Sequence, residues 1–281
     1  MFKYILFFVL GVSIVQASSK TNVRKEVKIQ SKTPVQNPDF DHSHKEFDRM
    51  LKIYVKNGRV NYQEWLKHDY QALVAHLSKV SLLSQKNLAA FTKDQRLAFL
   101  MNAYNAYTVK LILDFLPQKI KSIRDIGPKL AFLNRSKQWK VSEYRVNKKA
   151  SPEKIIVAGE NLSLDDIEHV KIRPVFKDPR IHFAVVCAAR SCPILQNYVY
   201  TGIKLQKQLD LVTREFLQDK SRNKIGIKKA EISKLFDWYA DDFIEHSGSV
   251  WAYLRSYLPK DFAKVKKPSI SFMSYDWALN D

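Results

Sequence analysis

From Phe40 onward, apolar positions recur with a helical period. Phe47, Met50, Leu51, Tyr54 and Val55 share one helix face, and Asn57-Gly58 then stops the helix. Val60-Asn61-Tyr62 reads as a short extended link into a second helix carrying Leu66, Tyr70, Leu73, Val74, Leu77 and Val80. Thr92-Lys93-Asp94-Gln95 has capping-box form and opens a helix from Leu97 to Phe115, closed by Leu116-Pro117. Apolar residues lie nearly all round that helix, which places it in the middle of the domain. Within it, Asn102 and Asn105 sit three apart on one face. A buried amide without a partner costs about 1 to 3 kcal/mol, so both are expected to be hydrogen-bonded, with partners in loops near Arg180 to Cys192.

In the second half, Gln138 to Val141 and Lys154 to Ala158 read as short strands, the latter ending at Gly159. Ser163-Leu164-Asp165-Asp166 opens a helix with a further capping box; it carries Glu168 and His169 and ends near Arg173-Pro174. Arg180 to Cys187 is a nearly continuous apolar, β-branched run, as expected of a strand covered on both faces. Helices follow at Leu205 to Leu217, Ser233 to Ile244 and Ser249 to Leu258, with a last extended segment near Ile270 to Phe272. Few strands among many helices predict an α+β fold: one mostly helical domain, residues 40–281, around a small central sheet.

Residues 1–17 have another character. Lys3 precedes an apolar run from Ile5 to Val15, and Val15-Gln16-Ala17 has the small-x-small form of a signal-peptidase site. The run is shorter than the ~20 apolar residues of a spanning helix, and no later stretch is long and apolar enough to cross a bilayer. The expectation is an exported protein, periplasmic or extracellular, with no transmembrane segment once the leader is removed. Residues 18–39, polar and Lys-rich, read as a disordered basic tether, because they cannot bury enough surface to offset chain entropy. The formal net charge of +19 favours anionic partners, here an anionic envelope component or a small acidic ligand. No signature of specific nucleic-acid binding is present.

Taken together, several segments resemble the domain of unknown function 547 family. They are Phe40 to Tyr62, Leu97 to Pro117, Ser122-Ile123, Ser163 to Arg173, Asp178 to Leu195, Ile232 to Phe243 and Tyr275 to Asn280. The blocks lie in order and run almost to the C-terminus; only between Ile126 and Val157 is there none to match. The resemblance implies export, the domain limits and the importance of the motif residues. It implies no mechanism, since the family has no assigned activity.

Cys187 and Cys192 are the only cysteines, separated by Ala188-Ala189-Arg190-Ser191. In an oxidising exported setting they make a disulfide, which over so short a loop adds roughly 2 kcal/mol. The competing reading makes one of them a thiolate nucleophile that needs a base and a lowered pKa. His182 is one base, but if it lies with Cys187 on a strand, five residues rise about 16 Å and the odd separation sets the two on opposite faces. Cys192, after the turn, folds back more readily towards His182. His169 is the other base, with Asp165 four residues before it on the same helix face. Asn102 or Asn105 would orient the imidazole, giving a Cys-His-Asn constellation of the papain or transglutaminase kind and, with it, a fold of that type.

Arg173, Lys177, Arg180 and Arg190 crowd the same segment, and Arg173, Arg180 and Arg190 together would bind a carboxylate or phosphate. Neither H-E-x-x-H nor Cys-x-x-Cys spacing occurs, so no metal and no cofactor is expected. Two functions follow. One is a cysteine-dependent hydrolase or acyl transferase of the cell envelope; the other is a non-catalytic, disulfide-stapled domain that holds an anionic polymer or small acid.

Overall fold

The helical period between Phe47 and Val55 is realised as α1 (Lys45–Tyr54), which buries Phe47, Met50, Leu51 and Tyr54 along one stripe. A computed structural model describes residues 40–126 and 155–281, all within the unit Asn37–Asp281. The leader, the tether and the strand expected over Gln138 to Val141 lie outside the described residues. Asn57-Gly58 does end α1, but by turning the chain between β1 (Val55–Lys56) and β2 (Arg59–Val60), with φ of 51° and 77°. Such a turn wants glycine for its φ, and a Cβ on Gly58 would also overlap the Ile194 side chain. The hairpin thereby buttresses the segment just beyond Cys192.

The second helix, α2 (Tyr62–Leu82), buries Trp65, Leu73, Leu77 and Val80, and α3 (Gln85–Ala90) is a short step after it with no fully buried residue. Next comes α4 (Lys93–Phe115), opened by the expected capping box: Thr92 accepts from the Gln95 amide, and Gln95 accepts from the Thr92 amide. Its residues from Leu97 to Leu113 are buried without a break, so α4 is the central helix that its all-round apolar surface predicts.

Two histidines belong to this core. His76 on α2 stacks on Phe47 with ring centroids 5.3 Å apart, and His44 lies 5.4 Å from His76. Both are buried, and His44 Nδ1 and His76 Nε2 have no hydrogen-bond partner among the described residues. Burial pushes the His44 imidazole down to about 3 and that of His76 down to about 4, so both are neutral in the fold at neutral pH.

The domain is mostly helical with small sheets. The expected single central sheet is replaced, among the described residues, by separate small ones. β3 (Ile155–Val157) and β4 (Glu160–Leu162) form a hairpin tied to the end of α2 through Ala158 N–H to Val80 O and Gly159 N–H to Ser81 O. The capping box at Ser163 and Asp166 then opens α5 (Leu164–Asp166). The helix goes on as a π-helical stretch over Ile167–Ile172 and α6 (Arg173–Phe176), past the stop expected at Arg173-Pro174.

The largest departure is at Arg180 to Cys187, which is not a strand. Pro179–Phe183 is a 3-10 helix, and the chain from Ala184 to Cys187 is irregular. Asp178 caps it by accepting from the Arg180 amide, and Pro179 fills its first turn, so the local Asp-Pro start outweighs the β-branched pattern that follows. With the strand goes the reason for placing His182 and Cys187 on opposite faces. Beyond it lie α7 (Leu205–Gln218), β5 (Lys224–Ile225), β6 (Lys229–Ile232), α8 (Leu235–Trp238), α9 (Ala240–Ser247), α10 (Val250–Tyr257) and β7 (Ser269–Phe272). β6 pairs antiparallel with β5 and parallel with β7. No helix among the described residues is long and apolar enough to cross a membrane.

Candidate active site

A cavity of about 370 Å³ opens between the π-helical stretch, the cysteine loop, α8 and the C-terminal segment. Cys187, Cys192, His169, His182, Asp165, Glu168 and Arg173 all line it. Residues that a sequence reading can only group by type are therefore one site.

The cysteine loop is pinned from outside. Residues 276–280 run antiparallel to it: Arg190 N–H donates to Ala278 O at 2.8 Å, and Asn280 N–H donates to Ala188 O at 3.1 Å. Arg222 adds bonds from its guanidinium to Cys192 O at 3.0 Å and Arg190 O at 2.7 Å. Ala188 takes a left-handed φ of 58°, which folds the loop back so that the Cys187 amide meets Cys192 Sγ at 2.9 Å. Both cysteines are free thiols, Cys187 half-buried and Cys192 buried.

Their electrostatics differ. The Cys192 thiol, then the Tyr275 hydroxyl and the Ala189 amide, hold the Cys187 thiol below its ordinary value against the opposing pull of burial. Tyr275 Oη lies 3.3 Å from Cys187 Sγ, and burial keeps its phenol protonated and able to donate. Burial pushes the Cys192 thiol well up. Of the two thiols, Cys187 is therefore the more readily ionised.

The two imidazoles also take different roles. His182, 2 % exposed, has Nε2 at 2.6 Å from Asp242 Oδ2. The Asp242 carboxylate can only accept, so Nε2 carries the proton and Nδ1 presents a lone pair. That Nδ1 has no hydrogen-bond partner among the described residues and stands 4.0 Å from Glu168 Oε1. Burial lowers the His182 pKa and keeps the ring neutral. In His169, Nδ1 meets the Arg173 guanidinium at 2.6 Å and must accept, which leaves Nε2–H pointing towards Asp165 Oδ1 at 3.6 Å. Asp165 faces His169 as the helical spacing predicts. His182 thus carries an unpaired acceptor at Nδ1, whereas His169 presents a donor at Nε2.

Residues 88–217 match the family model described as protein of unknown function, DUF547. That part of the chain is similar to the DUF547 family. No curated protein and no solved structure matches the chain. The DUF547 match contains both cysteines, both histidines, Asp165, Glu168 and Arg173, whereas Asp242 and Tyr275 come from beyond it.

Asp242, on α9 and sixty residues from His182, is the carboxylate that fixes the His182 ring. It accepts from His182 and, bidentately, from Arg173 Nε and Nη2 at 2.8 Å each, and those donors hold its carboxyl far below 3.8 although burial acts the other way. Tyr239 stacks on His182 with centroids 3.8 Å apart, fixing the ring from its face. The expected orienters have other work. Asn105 Nδ2 donates to Ala184 O at 3.0 Å and its Oδ1 accepts from the Val186 amide at 3.0 Å. Asn102 brackets the Tyr200 backbone in the same manner, rather than the cysteine region. The buried, bonded state of both amides is as expected, but neither touches an imidazole: they hold backbone, and Asn105 holds the chain that leads into Cys187.

The expected arginine cluster does not assemble. Arg173 lines the cavity with its guanidinium committed to Asp242 and His169. Arg180 bonds Asp178 and Gln206, Arg190 bonds Leu279 O, Lys177 pairs with Glu245, and none of these three lines the cavity. What the sequence reading missed are Asp242, Tyr275 and Arg124. Asp242 and Tyr275 sit in motif blocks, but nothing in the spacing says that they meet Cys187 and His182.

Proposed function

We propose that this domain is a cysteine-dependent acyl-transfer enzyme, a hydrolase or acyl transferase of the cell envelope. Its chemistry is of the papain or transglutaminase kind, with Asp242 in place of the expected asparagine. One observation carries the reading: a half-buried thiol with a lowered pKa shares a cavity with a buried, neutral histidine whose Nδ1 has no hydrogen-bond partner among the described residues and whose Nε2 is fixed by a carboxylate. Cys187 Sγ gives up its proton to His182 Nδ1 and attacks a carbonyl carbon. A carbon–sulfur bond forms, the bond to the leaving group breaks, and that group departs with the proton held on His182. Water or an acceptor amine or hydroxyl then loses its proton to the same Nδ1, attacks the thioester and frees the thiol. Asp242 stabilises the imidazolium that forms twice in this cycle. Export through a leader over residues 1–17 belongs to the same proposal and gives it a setting rich in acylated polymers.

The test is an acyl-enzyme trap. Incubation with p-nitrophenyl acetate is expected to place one acetyl group on Cys187 as a hydroxylamine-labile adduct, located by peptide mass spectrometry and absent in Cys187→Ala. Nitrophenol release that is equally fast in Cys187→Ala, with no adduct at Cys187, would overturn the reading.

A further inference from the structure

The outer wall of the cavity differs from its floor. Trp238, Tyr275 and Trp277 form a continuous aromatic face, with centroid separations of 4.8 Å, 4.5 Å and 5.7 Å for the three pairs. Arg124 also lines this part of the cavity and lays its guanidinium over the Trp277 ring at 5.1 Å. It is set there by a short 3-10 turn over Ile123–Asp125, capped reciprocally by Ser122 and Asp125, and by the bridge between Ser122 and Ala278. Asp125 does not neutralise it: Oδ2 of that carboxylate accepts the Lys121 and Ser122 amides. Arg124 is exposed and makes no ion pair among the described residues. A guanidinium held over an indole ring is partly ordered beforehand, and without an ion pair its N–H donors are available as a fork for a planar oxyanion.

We infer that Arg124 and the Trp238–Tyr275–Trp277 face form a subsite for a carboxylate attached to a flat ring. The acyl substrates of the enzyme are then compounds that carry, besides the reacting carbonyl, a planar ring and a free carboxylate. The floor sets the orientation. Asp165 and Glu168, which also line the cavity, are half-buried and buried, Arg173 is already committed, and Arg124 is exposed, so an anionic group is repelled from the carboxylates and accepted at Arg124. The ring lies on the aromatic face, and the carbonyl points inward to Cys187.

This substrate class rests on the cavity being an active site, but the subsite is tested by binding alone, which needs no turnover. Phenylacetate and phenylacetamide present the same ring with and without the charge. Isothermal titration of the intact protein, with quenching of tryptophan fluorescence as a second readout, is expected to show phenylacetate binding tighter by about tenfold or more, the scale of one charge-assisted forked pair. Arg124→Ala should bring the ratio to about one, and Arg124→Lys, which keeps charge without the fork, should restore part of it. Equal binding of the two probes, binding of neither, or a carboxylate preference that survives Arg124→Ala would each overturn the inference. If phenylacetate is preferred and no acyl adduct forms on Cys187, the subsite stands and the acyl-transfer reading falls. An adduct without carboxylate preference gives the reverse.

Discussion

Asp242→Asn is expected to lower turnover of p-nitrophenyl acetate on the order of 10³- to 10⁴-fold, with the protein still folded. The reason is the lost carboxylate. Asp242 Oδ2 accepts from both His182 Nε2 and Arg173 Nε, and Oδ1 accepts from Arg173 Nη2. An asparagine keeps one of these two oxygens. At the Oδ2 place it still accepts from His182, but it carries no charge to stabilise the imidazolium and its amide nitrogen opposes Arg173 Nη2; at the Oδ1 place its amide nitrogen opposes His182 Nε2, the imidazole proton shifts to Nδ1 and the base is lost. Stability should drop by about 2 kcal/mol, less than a fully enclosed pair would lose, because the Asp242 side chain is 24 % exposed. Turnover within tenfold of the parent would remove His182 from the base role. Steady-state rates measured beside urea unfolding curves separate the catalytic loss from the structural one.

Acidification from about pH 7 to about pH 4.5 is expected to remove roughly 4 to 5 kcal/mol of folding stability through His44 and His76. In the unfolded chain both titrate near 6.5, while in the fold burial pushes them down to about 3 and about 4. Below pH 6.5 the unfolded chain therefore binds protons that the folded one refuses, and stability falls with pH until the folded values are reached. The surroundings alter the size of this effect and not its sign. Asp41 favours the charged form of both rings, His42 and His76 oppose it at His44, and at His76 Lys79 opposes it while Glu46 supports it. His182, also lowered by burial, adds to the same slope. The lowered carboxyls of Asp41, Asp69, Asp219 and Asp242 act in the same direction but mainly as pH falls through 3.8, below this window. Urea midpoints across the range read the slope directly, and His76→Phe, which keeps the stack on Phe47, should remove about half of it. Midpoints that do not move between the two pH values would contradict the burial of neutral histidines.

Much of the scaffold is legible in the sequence because its signals are local. The Thr92 and Ser163 capping boxes, the all-round apolar surface of α4 and the Asp165–His169 spacing each depend on residues within a turn or two, and each appears as read. The strand expected at Arg180 to Cys187 fails for an equally local reason, since Asp178-Pro179 starts a helical turn that the apolar run only continues. The site itself is half legible. Cys187, Cys192, His169 and His182 gather as candidates because thiols and imidazoles are few and clustered. Their partners do not, because Asp242 and Tyr275 arrive by long-range packing. The two asparagines show the converse: their burial follows from helical pattern, whereas what they bond follows from where loops land, and those loops offer backbone.

The most direct measurement of the central claim is the rate at which iodoacetamide alkylates each cysteine as a function of pH, with the sites resolved by peptide mass. Cys187 should react with a midpoint below that of an ordinary thiol, because the Cys192 thiol and Tyr275 hydroxyl stabilise its thiolate, while Cys192 stays protected into the alkaline range. Tyr275→Phe should shift the Cys187 midpoint upward. A Cys187 that titrates as a free cysteine, or that reacts no faster than Cys192, or a native protein whose two sulfurs are already joined, would contradict the account.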